Sequence, residues 1–387
     1  MKKIKIGLLP LYIKLYDDSL PILRERLEPF YKKMTEKLEN EGFEVKTAPF
    51  CRVESEFSET VSKFEDDGVN CIVTLHMAYS PSLESVSALA STSLPIVVMD
   101  TTETYDFGFD VSIEEIDYNH GIHGVMDMCN LLRRNKKPYA IAVGHCDNSD
   151  VVRQTARLVR PPVAAKNLDG SSVGVIGGSF KGMGDFLVDS KELKKTFGIK
   201  LLEADNHELR TLLSSVSDSE VAAELAENEQ KFAKGEDINE ENYLYNIKAC
   251  LAVRKWIEKH NLDAFSVNFL KIRDKTIDSM PFIEACKAME RGIGYAGEGD
   301  ALTAAFVGAF LKVIPDTSFI EIFCPDWKND LLFISHMAEM NYGVADGKPI
   351  LYNMPFDYND TARDTVAAYS RFKGGKAVYV NIYRDEE

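Results

Sequence analysis

Gly292-Ile293-Gly294-Tyr295-Ala296-Gly297-Glu298-Gly299-Asp300 links two helix-like runs through a short extended piece. The preceding run, Phe282 to Arg291, stops at Gly292, where a left-handed cap forms at little cost. Asp300 reads as the N-cap of the next helix, because a polar residue precedes the good helix formers Ala301-Leu302-Thr303-Ala304-Ala305-Phe306. Glu298 is therefore expected in a tight loop between glycines, beside a helix start, where backbone can come close to something. A carboxylate that merely solvated a surface would need no such neighbours.

Two further residues share this chemistry. Glu321 interrupts the apolar, strand-like run Thr317-Ser318-Phe319-Ile320-Glu321-Ile322-Phe323, and His336 closes Leu331-Leu332-Phe333-Ile334-Ser335. A charge buried in such a strand needs a cation or a proton. Two carboxylates and an imidazole brought together suit an octahedral, oxygen-preferring divalent ion such as Mn²⁺. The plain alternative is a turn glutamate, an exposed strand glutamate and a core histidine. Spacing alone does not separate the two.

Outward from this region the chain alternates strand and helix. Ile4–Leu9, Glu44–Pro49, Cys71–Leu75 and Ile96–Met99 read as strands. Ile22–Asn40, Phe57–Asp67 and Leu83–Ala90 read as the helices between them. This is the pattern of a doubly wound parallel sheet. No GxGxxG follows the first strand, so dinucleotide binding is not expected. Arg160-Pro161-Pro162 reads as a break. Val173-Gly174-Val175-Ile176-Gly177-Gly178 then opens a second α/β unit, its glycine pair read first as close packing and second as a phosphate cradle. In that unit Leu201–Ala204 and Ala264–Leu270 read as strands, and Ser219–Lys234 and Glu240–His260 as helices. Beyond about residue 312, Phe319–Phe323, Leu331–Ser335, Pro349–Met354, Asp364–Phe372 and Lys376–Tyr383 read as strands with turns between. The expected division is 1–165 and 166–312, two Rossmann-like α/β units, and 313–387, a partial antiparallel β domain.

Composition narrows the classes. The 387 residues are 45% hydrophobic and 27% charged, as in a globular protein, with net charge −16 and pI near 5.0. That balance argues against nucleic acid or an anionic membrane surface as a partner. Seven scattered cysteines without a CxxC pair read as reduced core thiols of a cytoplasmic protein, not as zinc ligands. The apolar start is broken by Pro10, Lys14 and Asp17-Asp18, unlike an export signal.

Taken in order, Gly294–Asp300 with Thr303-Ala304-Ala305, then Thr317–Glu321, then Asn329-Asp330-Leu331 to His336-Met337, resemble segments of the L-arabinose isomerase and L-fucose isomerase superfamily, nearer to the arabinose enzymes. The family segments are Gly-Phe-Ala-Gly-Glu-Gly-Asp leading into Lys-Thr-Ala-Ala, Thr-Ser-Phe-Met-Glu, and Gly-Asn-Asp-Leu-Val-Leu-Gly-Ser-His-Met. The resemblance implies that Glu298, Glu321 and His336 are ligands of a divalent metal, Mn²⁺ by preference. It also implies that the two glutamates are the acid–base pair of an aldose–ketose isomerase acting on a free pentose or deoxyhexose.

Asn119-His120-Gly121-Ile122-His123-Gly124 resembles the family's Asn-Gln-Thr-Ala-His-Gly. This implies that His123 reaches the sugar in a neighbouring subunit's site, and hence a homo-oligomer, a trimer or hexamer. Phe180–Asp185 aligns with Phe-Gly-Asp-Asn-Met-Arg, which implies that Met183 lines the sugar pocket. Phe269 falls where the family has a pocket Phe, and Met337 beside His336 is the fourth substrate-contact residue implied. His76 and His145 stand where strand-end histidines of the family stand. Family chains are longer, and their additional part supplies a second metal-binding His.

Some positions depart from the family. Ala301-Leu302 replaces Trp-Lys, Ile322 replaces an Asp, and Leu9-Pro10-Leu11-Tyr12 lacks the family's Ser-Gln-His-Leu-Tyr-Gly. The metal-binding positions are kept while sugar-reading positions are not, so the sugar stays open between L-arabinose, L-fucose and a related one. A non-catalytic sugar-binding relative is the alternative.

Overall fold

The computed structural model describes residues 3–184, 187–272, 277–358 and 362–383. By backbone contacts the chain divides into two compact units, over residues 2–163 and 164–387.

The first unit is built on five parallel strands, β1 (Lys5–Leu11), β2 (Glu44–Thr47), β3 (Cys71–His76), β4 (Ile96–Asp100) and β5 (Tyr139–Val143), in the order β2-β1-β3-β4-β5. The central strands β3 and β4 are buried along their whole length. Helices cover both faces of such a sheet, so nearly every side chain must be apolar. Leu11 pairs with His76 across β1 and β3, where the strand order reverses.

The second unit holds β6 (Ser172–Ile176), β7 (Lys200–Glu203), β8 (Ala233–Lys234), β9 (Ala264–Val267), β10 (Gly294–Gly297), β11 (Glu321–Asp326), β12 (Leu331–Ser335), β13 (Ile350–Met354) and β14 (Thr365–Tyr369). Four of them form a parallel sheet, β10-β9-β6-β7; β11 and β12 form an antiparallel hairpin; β14-β13-β8 form a small mixed sheet. The fold is thus mixed α/β, with two parallel Rossmann-like sheets and smaller antiparallel ones. Phe319, Phe356 and Ala367 join the same hydrophobic cluster as β6, β9 and β10, so the late segments share the core of the parallel sheet.

Beneath this core lies a buried ionic network. Arg254 donates to Glu224 at 2.7 and 2.8 Å and to Glu284 at 2.7 and 3.0 Å, and Lys287 reaches Glu224 at 2.7 Å and Glu227 at 2.8 Å. Glu284 and Lys287 are almost wholly buried, so each charge depends on its partners.

Four local expectations are corrected. Pro161 and Pro162 lie inside the helix Val151–Leu168 and do not interrupt it, although the division between the two units falls directly after them, at 163–164. Their fixed φ is helical, and the bonds they forgo lie on a partly exposed stretch that water can serve. The helix read to Lys234 ends at Lys231, and Ala233–Lys234 becomes β8 because β13 offers it a parallel partner. The strand read to Leu270 ends at Val267, where the Asn268 side chain accepts from Leu270 N and turns the chain into a 3₁₀ turn. Lys376–Tyr383 forms no strand despite its strand-like composition, since no neighbouring strand among the described residues pairs with it.

Candidate active site and metal centre

The helix Phe282–Glu290 ends at Arg291, Gly292 takes φ +89°, and β10 runs from Gly294 to Gly297 into the glutamate loop. Asp300 caps the next helix, Ala301–Leu311, by accepting from Thr303 N at 2.9 Å. Glu298 itself has φ +62°, a left-handed conformation that costs an L-residue about 1–2 kcal/mol. The loop is tied down on all sides. Glu298 N donates to Val267 O at 3.0 Å, Phe180 N donates to Glu298 O at 2.9 Å, and Gly299 N donates to Ser266 Oγ at 2.8 Å. A Cβ at Gly299 would come within 2.4 Å of Gly178 O. The Gly177-Gly178 pair thus serves close packing, against the glutamate loop and the Lys271 side chain.

Glu321 opens β11 and pairs in register with Ser335 on β12, the residue before His336. The hairpin therefore brings the two side chains together, with His336 Nε2 4.0 Å from Glu321 Oε2. Glu321 is 45% exposed while His336 is 5% exposed, so the carboxylate faces outward and the imidazole sits within. The His336 ring packs against Phe319 at 4.8 Å between centroids, and a Cβ at Gly297 would lie 2.7 Å from its Cε1. Behind the ring, Glu339 Oε2 lies 2.6 Å from Nδ1, while Tyr295 OH donates to Glu339 Oε1 at 2.8 Å.

Burial opposes a charge on His336, but Glu339, then Glu321 and Glu298, outweigh it and lift the imidazole to about 9. Burial likewise opposes ionisation of Glu339, yet His336 holds its carboxyl below the ordinary range. Burial and the Glu339 charge push the Tyr295 hydroxyl well up. Glu298, Glu321 and His336, far apart in sequence, thus share one electrostatic site. Glu339 and Tyr295 were not singled out in the sequence. An acid three residues after a histidine, set between Ala338 and Met340, was the available signal.

The residues expected at the sugar are scattered. Phe269 lies on the 3₁₀ turn Phe269–Lys271, 5.6 Å from the ring of Phe180, whose backbone holds the Glu298 loop. Met183 and Met337 are each 39% exposed, and Asp185 lies outside the described residues. In the first unit, His123 is exposed on the helix Gly121–Arg134, its ring edge-on to His120 at 6.1 Å. His76 is buried under Gly121 and Gly124, and burial lowers its imidazole to about 3. His145 is held within its turn: Nδ1 accepts from the backbone N–H groups of Asp147 and Asn148, and Nε2 meets Glu103 O at 3.0 Å. Of the seven cysteines, all free, five are buried, Cys129 is half-buried and Cys324 exposed.

Fold and cluster together describe an α/β protein with carboxylates and an imidazole close together where a parallel sheet meets a β-hairpin. In sequence it is similar to L-arabinose isomerases: residues 188–316 match the model of the L-arabinose isomerase central domain. It is 22% identical to an L-arabinose isomerase of Mannheimia succiniciproducens over 334 residues, 83% of this chain and 66% of that protein. Against those of Thermotoga petrophila and Halalkalibacterium halodurans, identity is 24% and 25%, over 78% and 74% of this chain and 62% and 59% of theirs. The chain thus spans less than two thirds of the length of these relatives. A solved solute-binding protein from Agrobacterium vitis, bound with α-D-tagatopyranose, matches with TM-score 0.19 at 10% identity, covering 80% of this chain and 89% of that one. A likeness that low carries no argument. No helix among the described residues is long and apolar enough to cross a membrane.

Proposed function

We propose that this protein is a divalent-metal-dependent aldose–ketose isomerase acting on a free sugar, L-arabinose, L-fucose or a related pentose or deoxyhexose. The observation that carries the reading is the meeting of His336 with Glu321 at 4.0 Å, beside the Glu298 loop. Donors about 2.1 Å from one octahedral ion stand no more than about 4.2 Å apart. The His336–Glu321 separation therefore fits a shared cation, and two carboxylates with one imidazole suit Mn²⁺. Glu298, Glu321 and His336 would hold it. When bound, the ion supplies Lewis-acid stabilisation of the negative charge that develops as a proton leaves carbon.

The protein's own groups do the rest. Moving a proton between C2 and C1 needs one group to take it and another to return it, and paired carboxylates alternate in those roles. Glu298, in its strained loop, and Glu321, on an open strand, are that pair. Met183, Phe269 and Met337 line the sugar, and His123 serves the site of a neighbouring copy in a cytoplasmic homo-oligomer.

The test is a panel of aldopentoses and deoxyhexoses incubated with the purified chain, with and without Mn²⁺, and assayed for ketose. Metal-dependent turnover of one sugar is expected. Sugar binding without turnover at any metal concentration would favour a non-catalytic relative instead.

A further inference from the structure

We propose that Glu339, backed by Tyr295, is a positioning residue that fixes the tautomer of His336 and aims Nε2 at the cation site; this rests on the metal reading above. The Glu339 side chain is 2% exposed, and both of its oxygens are engaged. Oε1 accepts from Tyr295 OH at 2.8 Å, and Oε2 accepts from Ala338 N at 3.0 Å. His336 Nδ1 lies 2.6 Å from that same Oε2. A carboxylate offers only lone pairs, so Nδ1 must carry the hydrogen, and the neutral ring then keeps its free pair on Nε2.

That nitrogen faces Glu321. The ring cannot turn away, because Phe319 packs on it and Gly297 leaves no room below. Tyr295 is fully buried, edge-on to Phe265 at 5.0 Å and to Phe319 at 6.2 Å, two residues before Gly297 on the same strand. One rigid strand thus supports the imidazole twice, through Gly297 directly and through Tyr295 and Glu339 behind it. Outer partners of this kind orient metal-binding histidines and raise their basicity.

Glu339→Gln separates this role from simple packing. The amide has the same shape, and Ala338 N keeps its carbonyl oxygen toward His336 while its N–H₂ turns to Tyr295 OH, so only the charge behind the ring is lost; Glu339→Leu removes the acceptor as well and frees the hydrogen to move to Nε2. Two measurements on the full chain follow: Mn²⁺ affinity from the free-ion electron paramagnetic resonance signal, and the ¹⁵N pattern of the His336 imidazole with Mg²⁺ in place of Mn²⁺. Glu339→Gln is expected to weaken Mn²⁺ binding several-fold with Nδ1 still protonated, and Glu339→Leu to weaken it about 10- to 100-fold and to release the hydrogen from Nδ1. Tyr295→Phe, which removes a single donor, is expected to weaken binding several-fold with Nδ1 still protonated.

A folded Glu339→Leu with unchanged affinity and tautomer overturns the proposal. If that variant does not fold, an unchanged Mn²⁺ affinity in Tyr295→Phe overturns it. A wild-type chain that binds no Mn²⁺ sinks the metal reading instead, and the imidazole tautomer, read without metal at a pH high enough for the ring to be neutral, still decides whether Glu339 sets it.

Discussion

A methyl group at Gly297 would stand 2.7 Å from Cε1 of His336. The backbone of β10 is therefore the surface on which the imidazole rests. Gly297→Ala must push the ring off Glu339 or bend the strand, and overpacking of this kind costs about 1–3 kcal/mol. We expect lower thermal stability and a larger loss of Mn²⁺ affinity than in Gly374→Ala, a control where no atom lies within 4 Å of the added carbon. Equal metal affinity in the two variants would show that the ring has room.

Glu298 holds a left-handed backbone, with φ +62°. Glu298→Gly and Glu298→Ala both remove the carboxylate, but only glycine relieves the backbone. Glu298→Gly should be more stable than Glu298→Ala by about 1 kcal/mol in urea unfolding, and both should be inactive. Identical midpoints would mean that the loop relaxes in solution.

Glu298→Gln and Glu321→Gln keep size and polarity and lose the proton-carrying group. Each should reduce kcat by about 10²- to 10⁴-fold, the usual contribution of acid–base catalysis, with an unaltered circular dichroism spectrum. Glu321 is nearly half exposed, so its variant should also melt as the wild type does. Near-wild-type turnover in either would end the assignment of the pair.

Without metal, His336 is raised from 6.5 to about 9, burial being outweighed by Glu339, Glu321 and Glu298. A raised folded pKa stabilises the protein fully below about 6.5, and the contribution, at most about 3 kcal/mol, disappears as the pH climbs through about 9. Urea unfolding in chelator between pH 6 and 10 should show this decline, and His336→Gln should flatten it. A wild-type profile parallel to the variant's would place the ring's titration elsewhere.

The ionic network has the opposite sign. Burial raises the Glu224 carboxyl, but Arg254 and then Lys287 more than reverse this and bring it to about 2. Its stabilisation is present above about 4.5 and is lost as the pH falls through about 2. Lys287→Met leaves buried carboxylates short of a partner and should cost about 3–5 kcal/mol at neutral pH. A loss below 1 kcal/mol would mean that water enters the network.

The alternation of strands and helices, the Asp300 cap and the Glu298 loop were legible in the sequence. Each rests on local rules: apolar runs, capping residues and glycines near one another in the chain. The proline pair at 161–162 stands at the unit boundary yet stays helical, and the segment 376–383 reads as a strand and is not one. Their local preference is real, but a helix accepts prolines where water replaces the missing bonds, and a strand without a neighbour does not form.

The order and kind of most elements were therefore determined by the sequence alone, because backbone sterics and hydrophobic periodicity act within a few residues, whereas the three candidate ligands rest on a resemblance and not on such rules. Only the tertiary structure decided that Glu321 opens outward while His336 is buried, and that Tyr295 and Glu339 stand behind the imidazole. Those relations depend on strand register and on packing between segments more than forty residues apart in the case of Tyr295 and Glu339. No local preference encodes such distances.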